Sequence, residues 1–252
     1  MIGYLKAERL KLKASTSKKV LLAIPLFFLL FSLFTVIFIN QEGASFNAYL
    51  ALVFNQWPLV FLPIGLAIAC SMNIRLEKRS GSYKFIVSNN LSLAKTWYSK
   101  IFSLMNYQLL SSLFMIVVAA GGSMLIFHEV PDLMKIIKTT FLITIVALPL
   151  IPFNYIVAQY FGTIITVGAN LLGTFISVIW LAPYSIFWLM PWSTMLRIPA
   201  VTMRIHPNGT PIEGKSSLID ASIIGSSISV SVMYFVLLFV LSTFVFKKKV
   251  RK

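Results

Sequence analysis

The stretch "NIRLEKRSGSYKFIVSNNLSLAKTWYSK", Asn73 to Lys100, lies between two long apolar runs and carries a dense load of charge. Ala51 to Met72 precedes it and Ile101 to Phe127 follows it. Each run reaches the roughly 20 residues that a helix needs to cross a bilayer. The insert itself holds Arg75, Lys78, Arg79, Lys84, Lys95 and Lys100. Short cytoplasmic segments collect Lys and Arg, so this insert orients both flanking runs.

The rest of the chain extends the same pattern. Of 252 residues, 58% are hydrophobic and 12% charged, and the long runs are apolar on every face rather than amphipathic. Six runs qualify as membrane spans: Val20–Ile39, Ala51–Met72, Ile101–Phe127, Thr139–Ala158, Ile164–Ala182 and Ile223–Phe246. The first is too long for a secretory signal and lacks a small-residue cleavage site after it, so it reads as a retained span. The single Cys70 lies inside an apolar run, which leaves no disulfide framework and no cysteine metal site. The expectation is one membrane domain over residues 1–252, all α-helical.

Orientation follows from the basic residues. Lys6, Arg9, Lys11, Lys13, Lys18 and Lys19 precede the first span, and Lys247, Lys248, Lys249, Arg251 and Lys252 follow the last. With the insert, these leave only Lys135, Lys138, Arg197, Arg204 and Lys215 for the opposite face. Both termini and the insert therefore read as cytoplasmic. The net charge of +15 sits beside spans, where it sets topology and attracts anionic lipid. That placement argues against a nucleic-acid partner.

What the spans lack narrows the function. All seven acidic residues, Glu8, Glu42, Glu77, Glu129, Asp132, Glu213 and Asp220, fall in termini or loops, and no Lys, Arg or His sits deep in a run. Proton-coupled carriers and intramembrane metalloproteases need ionisable groups at membrane depth. The polar residues within runs, Asn55, Gln56, Asn106, Gln108, Asn154 and Asn170, suit hydrogen bonds between helices better than a substrate path. His128, Glu129 and Asp132 in "FHEVPD" have no nucleophile and no second His at ligand spacing, so they read as a solvated loop. His206 and Asp220 read as an unpaired histidine and an acid flanking a span. "NGT" at Asn208 to Thr210 fits a glycosylation pattern only in a eukaryotic secretory context. No GxxxxGK[ST] occurs, and Gly162, Gly168 and Gly173 read as packing glycines, so ATP hydrolysis is not expected of this chain. No catalytic and no metal-ligating set emerges.

Three features remain. In the last span, Ala221, Gly225 and Ser229 recur at four-residue steps, which predicts a close helix-packing face within the chain or against a partner subunit. Before it, Pro183, Pro191, Pro199, Pro207 and Pro211 forbid a long continuous helix. Trp180, Tyr184, Phe187, Trp188 and Trp192 crowd that outer loop, either as an interfacial aromatic belt or as a short cap that meets an amphiphile from outside. In the insert, Gly81 breaks the segment after "LEKRS" and Ser92 reads as the N-cap of the helix into the third span. Glu77, Lys78, Arg79 and Lys84 suit a docking surface, where simple anchoring would need fewer residues.

Taken together, the six spans, the basic "AERLKLK" opening, the insert pattern E-x-x-x-G-S-x-K, Ser92 and the Trp/Tyr-rich approach to Lys100 resemble the permease subunits of ABC-2-type exporters. The opening "YLKAERLKLK", the size and the aromatic outer loop are most similar to permeases of lantibiotic (bacteriocin) self-immunity transporters. This resemblance covers essentially the whole chain. It implies an all-α integral membrane protein of six transmembrane helices, with cytoplasmic termini, a coupling helix between spans two and three and an aromatic outer loop between spans five and six. The coupling role falls on Glu77, Gly81, Ser82 and Lys84, together with Lys78 and Arg79 of the docking surface. Many members carry a proline midway through this insert, and "SNNLS" has none. The implied partners are an ABC ATPase subunit, which holds ATP and Mg, and a second permease, either a copy or a similar chain. The implied substrate is a cationic antimicrobial peptide, met by Tyr184, Phe187, Trp188 and Trp192, and the implied location is the bacterial plasma membrane. Exporters of a drug, lipid or polysaccharide share the pattern. A membrane scaffold without transport, and a lipid-acting enzyme that relies on His128 or His206, stand as competing readings.

Overall fold

Away from water, a chain must satisfy its own backbone groups, and helices do so within one segment. A computed structural model describes residues 1–13, 15–38, 48–127 and 130–250. Among these residues the regular elements are helical, apart from an isolated bridge between Ile205 and Pro211. They are α1 (Ile2–Lys13), α2 (Thr16–Phe38), α3 (Ala48–Gln56), α4 (Leu62–Arg79), α5 (Ser82–Ser88), α6 (Leu93–Phe127), α7 (Leu133–Val146), α8 (Leu150–Ile176), α9 (Pro191–Met203) and α10 (Ser222–Val250). A π-helical turn, Trp57–Phe61, joins α3 to α4, and another, Ser177–Leu181, extends α8. Glu42, His128, Glu129, Arg251 and Lys252 lie outside the described residues, as does Ile39 at the end of the first apolar run.

Four described stretches are long and apolar enough to cross a membrane: Ala48–Arg79, Leu93–Leu125, Leu150–Leu181 and Ser222–Val250. Lys19–Phe31 within α2 is a shorter apolar helix. Two differences from the sequence reading stand out. The run Thr139–Ala158 is not one helix, because α7 stops at Val146 and α8 begins at Leu150. Pro149 accounts for the break, since it lacks an N–H and disfavours helical geometry in the residue before it. The expected gap between 158 and 164 lies inside α8, which carries a single non-helical residue, Gly162, at φ 78° and ψ −170°.

Gly162 reverses the chain. Asn154 and Asn170 are sixteen residues apart, which on a straight helix is about 24 Å at 1.5 Å per residue. Instead Asn170 Nδ2 donates to Asn154 Oδ1 at 2.5 Å. The two arms of α8 therefore fold back on each other. The first arm lies along α4 in the same direction. Cys70 donates to the Ile151 carbonyl at 3.7 Å, Asn73 to the Tyr155 hydroxyl at 3.1 Å and Lys78 to the Gln159 carbonyl at 2.9 Å.

Around this pair the bundle closes on large buried rings. Trp97 of α6 stacks on Phe246 of α10 at 4.5 Å, meets Tyr155 of α8 edge-on at 5.1 Å and donates its indole N–H to Ser242 at 2.9 Å. One side chain thus ties three helices, its polar handle satisfied. Gln108 of α6 bridges to the Thr144 carbonyl of α7 at 3.2 Å, and Asn55 reaches the Pro207 carbonyl at 2.9 Å. Asn106 behaves differently from the expectation and donates to Phe102 of its own helix at 3.0 Å. The outward faces of α6, α8 and α10 expose Leu110, Val117, Ile164, Leu172, Leu237 and Phe244. Such a surface suits lipid and not water.

The Gly162 backbone sits in a region that only glycine enters freely, although open space surrounds its Cβ position. Gly162→Ala is expected to cost roughly 1–3 kcal/mol, read as a lowered melting temperature in detergent. Gly168→Ala, which also meets open space but from helical backbone, is expected to leave the melt unchanged.

Candidate functional site

Two regions carry the chemistry. At one end of the bundle, α4 runs past its apolar body to Arg79, and Gly81 at φ 63° makes the left-handed turn into α5. A second left-handed residue, Asn90 at φ 51°, closes α5 off. The Ser92 hydroxyl then accepts the Lys95 N–H at 3.4 Å, while its carbonyl accepts the Thr96 hydroxyl at 2.9 Å, at the start of α6. The insert is thus a seven-residue helix held between two turns.

Beneath α5 lies a charge cluster that joins distant parts of the sequence. Lys100 of α6 is fully buried and meets Glu8 of α1 at 3.2 Å and Glu77 of α4 at 3.0 Å. Lys11 meets the same two carboxylates at 2.9 Å and 3.0 Å. Lys100 also donates to Asn73 at 3.0 Å. Two carboxylates and two ammonium groups balance, which is the condition for keeping charges out of water. The sequence reading placed Glu8 and Glu77 in termini or loops and Lys100 at the end of the insert, and missed this cluster. Its one local signal is the Glu8 to Lys11 spacing, one helical turn apart on α1.

Of the residues expected at a docking surface, Lys78, Arg79, Gly81 and Lys84 are exposed and Ser82 is half-buried. Glu77 is different: it is 1% exposed and turned inward to Lys11 and Lys100. The exposed face of α5 adds Phe85 and Val87, which sequence reasoning did not single out. The inner face of α5 buries Ile86, and Tyr83 donates to Gln159 at 3.3 Å and meets Phe246 edge-on at 5.8 Å. Burial pushes the Tyr83 phenol up to about 12, so it stays a neutral donor. A cleft of about 290 Å³ between α1 and α5 is lined by Tyr4, Ala7, Lys11, Ser82, Phe85 and Leu91, among others.

At the other end, the proline-rich segment forms α9, with Pro191 in its first turn and ten buried residues from Pro191 to Ala200. It runs 13 residues, continues through Pro199 and ends at Arg204, whose backbone is left-handed at φ 58°. The four aromatic candidates divide. Tyr184 and Trp188 are exposed, with Trp180 beside them in the chain, whereas Phe187 and Trp192 are buried. Trp192 donates to Asn170 at 3.1 Å, meets Phe153 edge-on at 5.1 Å and covers Gly173, where a Cβ would lie 2.7 Å from its ring. Phe187 lies under Arg197, whose guanidinium is 5.5 Å from the ring centroid and donates to the Ala182 carbonyl at 2.9 Å.

Ala221, Gly225 and Ser229 are exposed, and nothing lies within 4 Å of a Cβ built on Gly225. The face of α10 that packs within the chain instead carries Ser227, Ser231, Ser242 and Phe246. His206 accepts the Asn208 N–H at 3.2 Å inside a tight turn, and Asp220 accepts the Ser222 N–H at 2.9 Å at the start of α10. These are local structural roles. No group of three or more metal-ligating side chains forms among the described residues.

Removing Lys100 leaves two buried carboxylates facing one partly exposed lysine. Lys100→Met is expected to cost roughly 3–5 kcal/mol, seen as a lower melting temperature and faster tryptic cleavage within α1. Lys95→Met, on the exposed side of the same helix, is the control expected to change neither.

A family model described as ABC-2 family transporter protein matches residues 4–177. The match runs from α1 through the insert and the Gly162 reversal to the end of α8. No curated protein and no solved structure gives a match. With well over half of its length matched, the chain belongs to the ABC-2 family of transporter proteins.

Proposed function

We propose that this ABC-2 permease is the membrane subunit of an ATP-driven exporter that confers self-immunity by expelling a lantibiotic-type antimicrobial peptide. Its family works as a transmembrane transport subunit with an ABC ATPase, and its long apolar helices fit a multi-pass membrane protein. The finer reading is ours. One permease domain crosses the bacterial plasma membrane six times, the Gly162 reversal being the cytoplasmic turn between the fourth and fifth crossings. Both termini are cytoplasmic. ATP and Mg belong to the separate ATPase, and a second permease, a copy or a similar chain, completes the complex. The exposed Ala221, Gly225 and Ser229 face of α10 suits contact with that second permease.

The observation that carries this reading is the mounting of α5. Its outer face offers Lys84, Phe85 and Val87, while its inner face is fixed to the bundle by Ile86 and Tyr83. Through Gly81 it continues into α4, whose Glu77 is locked to α1 and α6. A push on α5 therefore moves α4, α6 and α8 together, as a helix that couples nucleotide-driven motion to a membrane gate must do. With no ionisable relay identified at membrane depth, energy arrives by this route. On the outer side, Tyr184 and Trp188 meet the arriving peptide, while Trp192 and Phe187 hold the cap beneath them.

Purification from native membranes tests the coupling. Lys84→Glu combined with Phe85→Ala, both exposed, is expected to abolish retention of a nucleotide-binding ATPase while the melt stays unchanged. A wild-type sample that retains no ATPase would move the protein to the scaffold reading. For the substrate, Tyr184→Ala with Trp188→Ala is expected to reduce protection against a lantibiotic at least several-fold. Undiminished protection would remove these two rings from the substrate path.

A further inference from the structure

Beside the Gly162 reversal lies a cleft of about 150 Å³, lined by Ser71, Arg75, Lys78, Arg79, Gly162 and Thr163, among others. Three of its lining side chains are cationic and none is acidic. Lys249 of α10 approaches as well, its ammonium 5.6 Å from the centre of the Tyr160 ring and within electrostatic reach of Lys78.

None of these four cations forms an ion pair among the described residues. Ion pairs among the described residues join Lys11 and Lys100 to Glu8 and Glu77, and Lys135 to Asp132. Glu77 is adjacent to Lys78 in sequence but points to the other side of α4. Lys78 commits one donor to the Gln159 carbonyl at 2.9 Å, and Arg75 one donor to the Thr163 hydroxyl at 3.4 Å. An ammonium has three donors and a guanidinium five, so both keep donors for a ligand. Three like charges lining a cleft of hydroxyls and free donors, with a fourth nearby, call for an anion with several acceptor oxygens.

We propose that this cleft binds a phosphate group presented by the headgroup of an anionic lipid. The lipid source follows from what adjoins the cleft. Phe161, Ile164 and Ile165 beside it expose 62%, 87% and 51% of their surface, an apolar wall along which acyl chains can lie. The bound headgroup bridges α4, the Gly162 reversal and the end of α10, and it neutralises the repulsion between them. This goes beyond the export reading and rests on it in one respect, that these helix ends lie at the cytoplasmic headgroup level.

Native mass spectrometry of the purified protein in detergent, with lipid added back, tests the site. The wild type is expected to retain phosphatidylglycerol at least tenfold over phosphatidylcholine. Arg75→Gln with Lys78→Gln is expected to abolish that preference, while Lys135→Gln with Lys138→Gln, at the other end of the bundle, preserves it. Should the first variant fail to fold, Arg79→Gln with Lys249→Gln replaces it, since both side chains are exposed. Preference unchanged in the cleft variants, or lost equally in the Lys135 and Lys138 control, overturns the site. Displacement of the lipid by an equal concentration of inorganic phosphate overturns the lipid source. Micelles have no sides, so the orientation is read separately, by labelling Lys84→Cys with an impermeant thiol reagent in intact cells. Labelling from outside would overturn the topology and leave the lipid result standing.

Discussion

A lysine with no exposure to water cannot keep its charge unless carboxylates come to it, and Lys100 brings together Glu8 and Glu77 from segments 92 and 23 residues away. Much of this end of the fold depends on that requirement. Glu8 fixes α1 across the start of α6, and Glu77 fixes the last turn of α4 against the same point. Asn73 passes the arrangement on to Tyr155, because it accepts from Lys100 and donates to the tyrosine hydroxyl. Lys11, partly open to solvent, balances the second negative charge. Desolvating four charges is costly, and packed apolar groups would often stabilise as well. What ionic contacts add is register, since only one placement of three helices satisfies every charge.

The second constraint is the backbone of α8. Its two arms reverse over a single glycine, and the Asn154 to Asn170 bond ties them eight residues on either side of it. That reversal sets the first arm along α4 and carries the second toward Trp192 and the cap. Trp192, Asn170 and Asn154 are bonded in series across the two arms of α8, and Gln159 on the first arm bonds Tyr83 of α5, so the backbone of α8 joins the two sets. Such a link runs through packed, bonded elements and not through distance alone.

Apolar length made the membrane class legible, because a bilayer accepts about 20 apolar residues as a helix whatever their order. The insert was legible too, since Gly81 and Ser92 are local signals whose geometry depends on near neighbours. The candidate site was only half legible. Lys84 and Arg79 are exposed as a docking surface requires, but Glu77 carries the same letter-level signal and faces inward. The same holds in the aromatic segment, where Trp188 and Trp192 read alike as interfacial rings and only one is exposed. Small residues on α10 mark a face that does not pack within the chain at Gly225, and four-residue spacing does not say what covers it.

The sequence by itself determined that this chain is built of membrane-type apolar helices, where the insert turns, and which family it resembles. All of these rest on composition, on charge placement and on interactions within a few residues. Only the tertiary structure decided that Glu8, Glu77 and Lys100 form one buried cluster, that Pro149 and not residue 160 breaks the helix before the Gly162 reversal, and that Trp192 supports the cap while Trp188 faces out. Each of those outcomes depends on which helix packs against which. In lipid, packing is chosen by close contact and polar pairing between distant segments, and neither is written in the order of apolar letters.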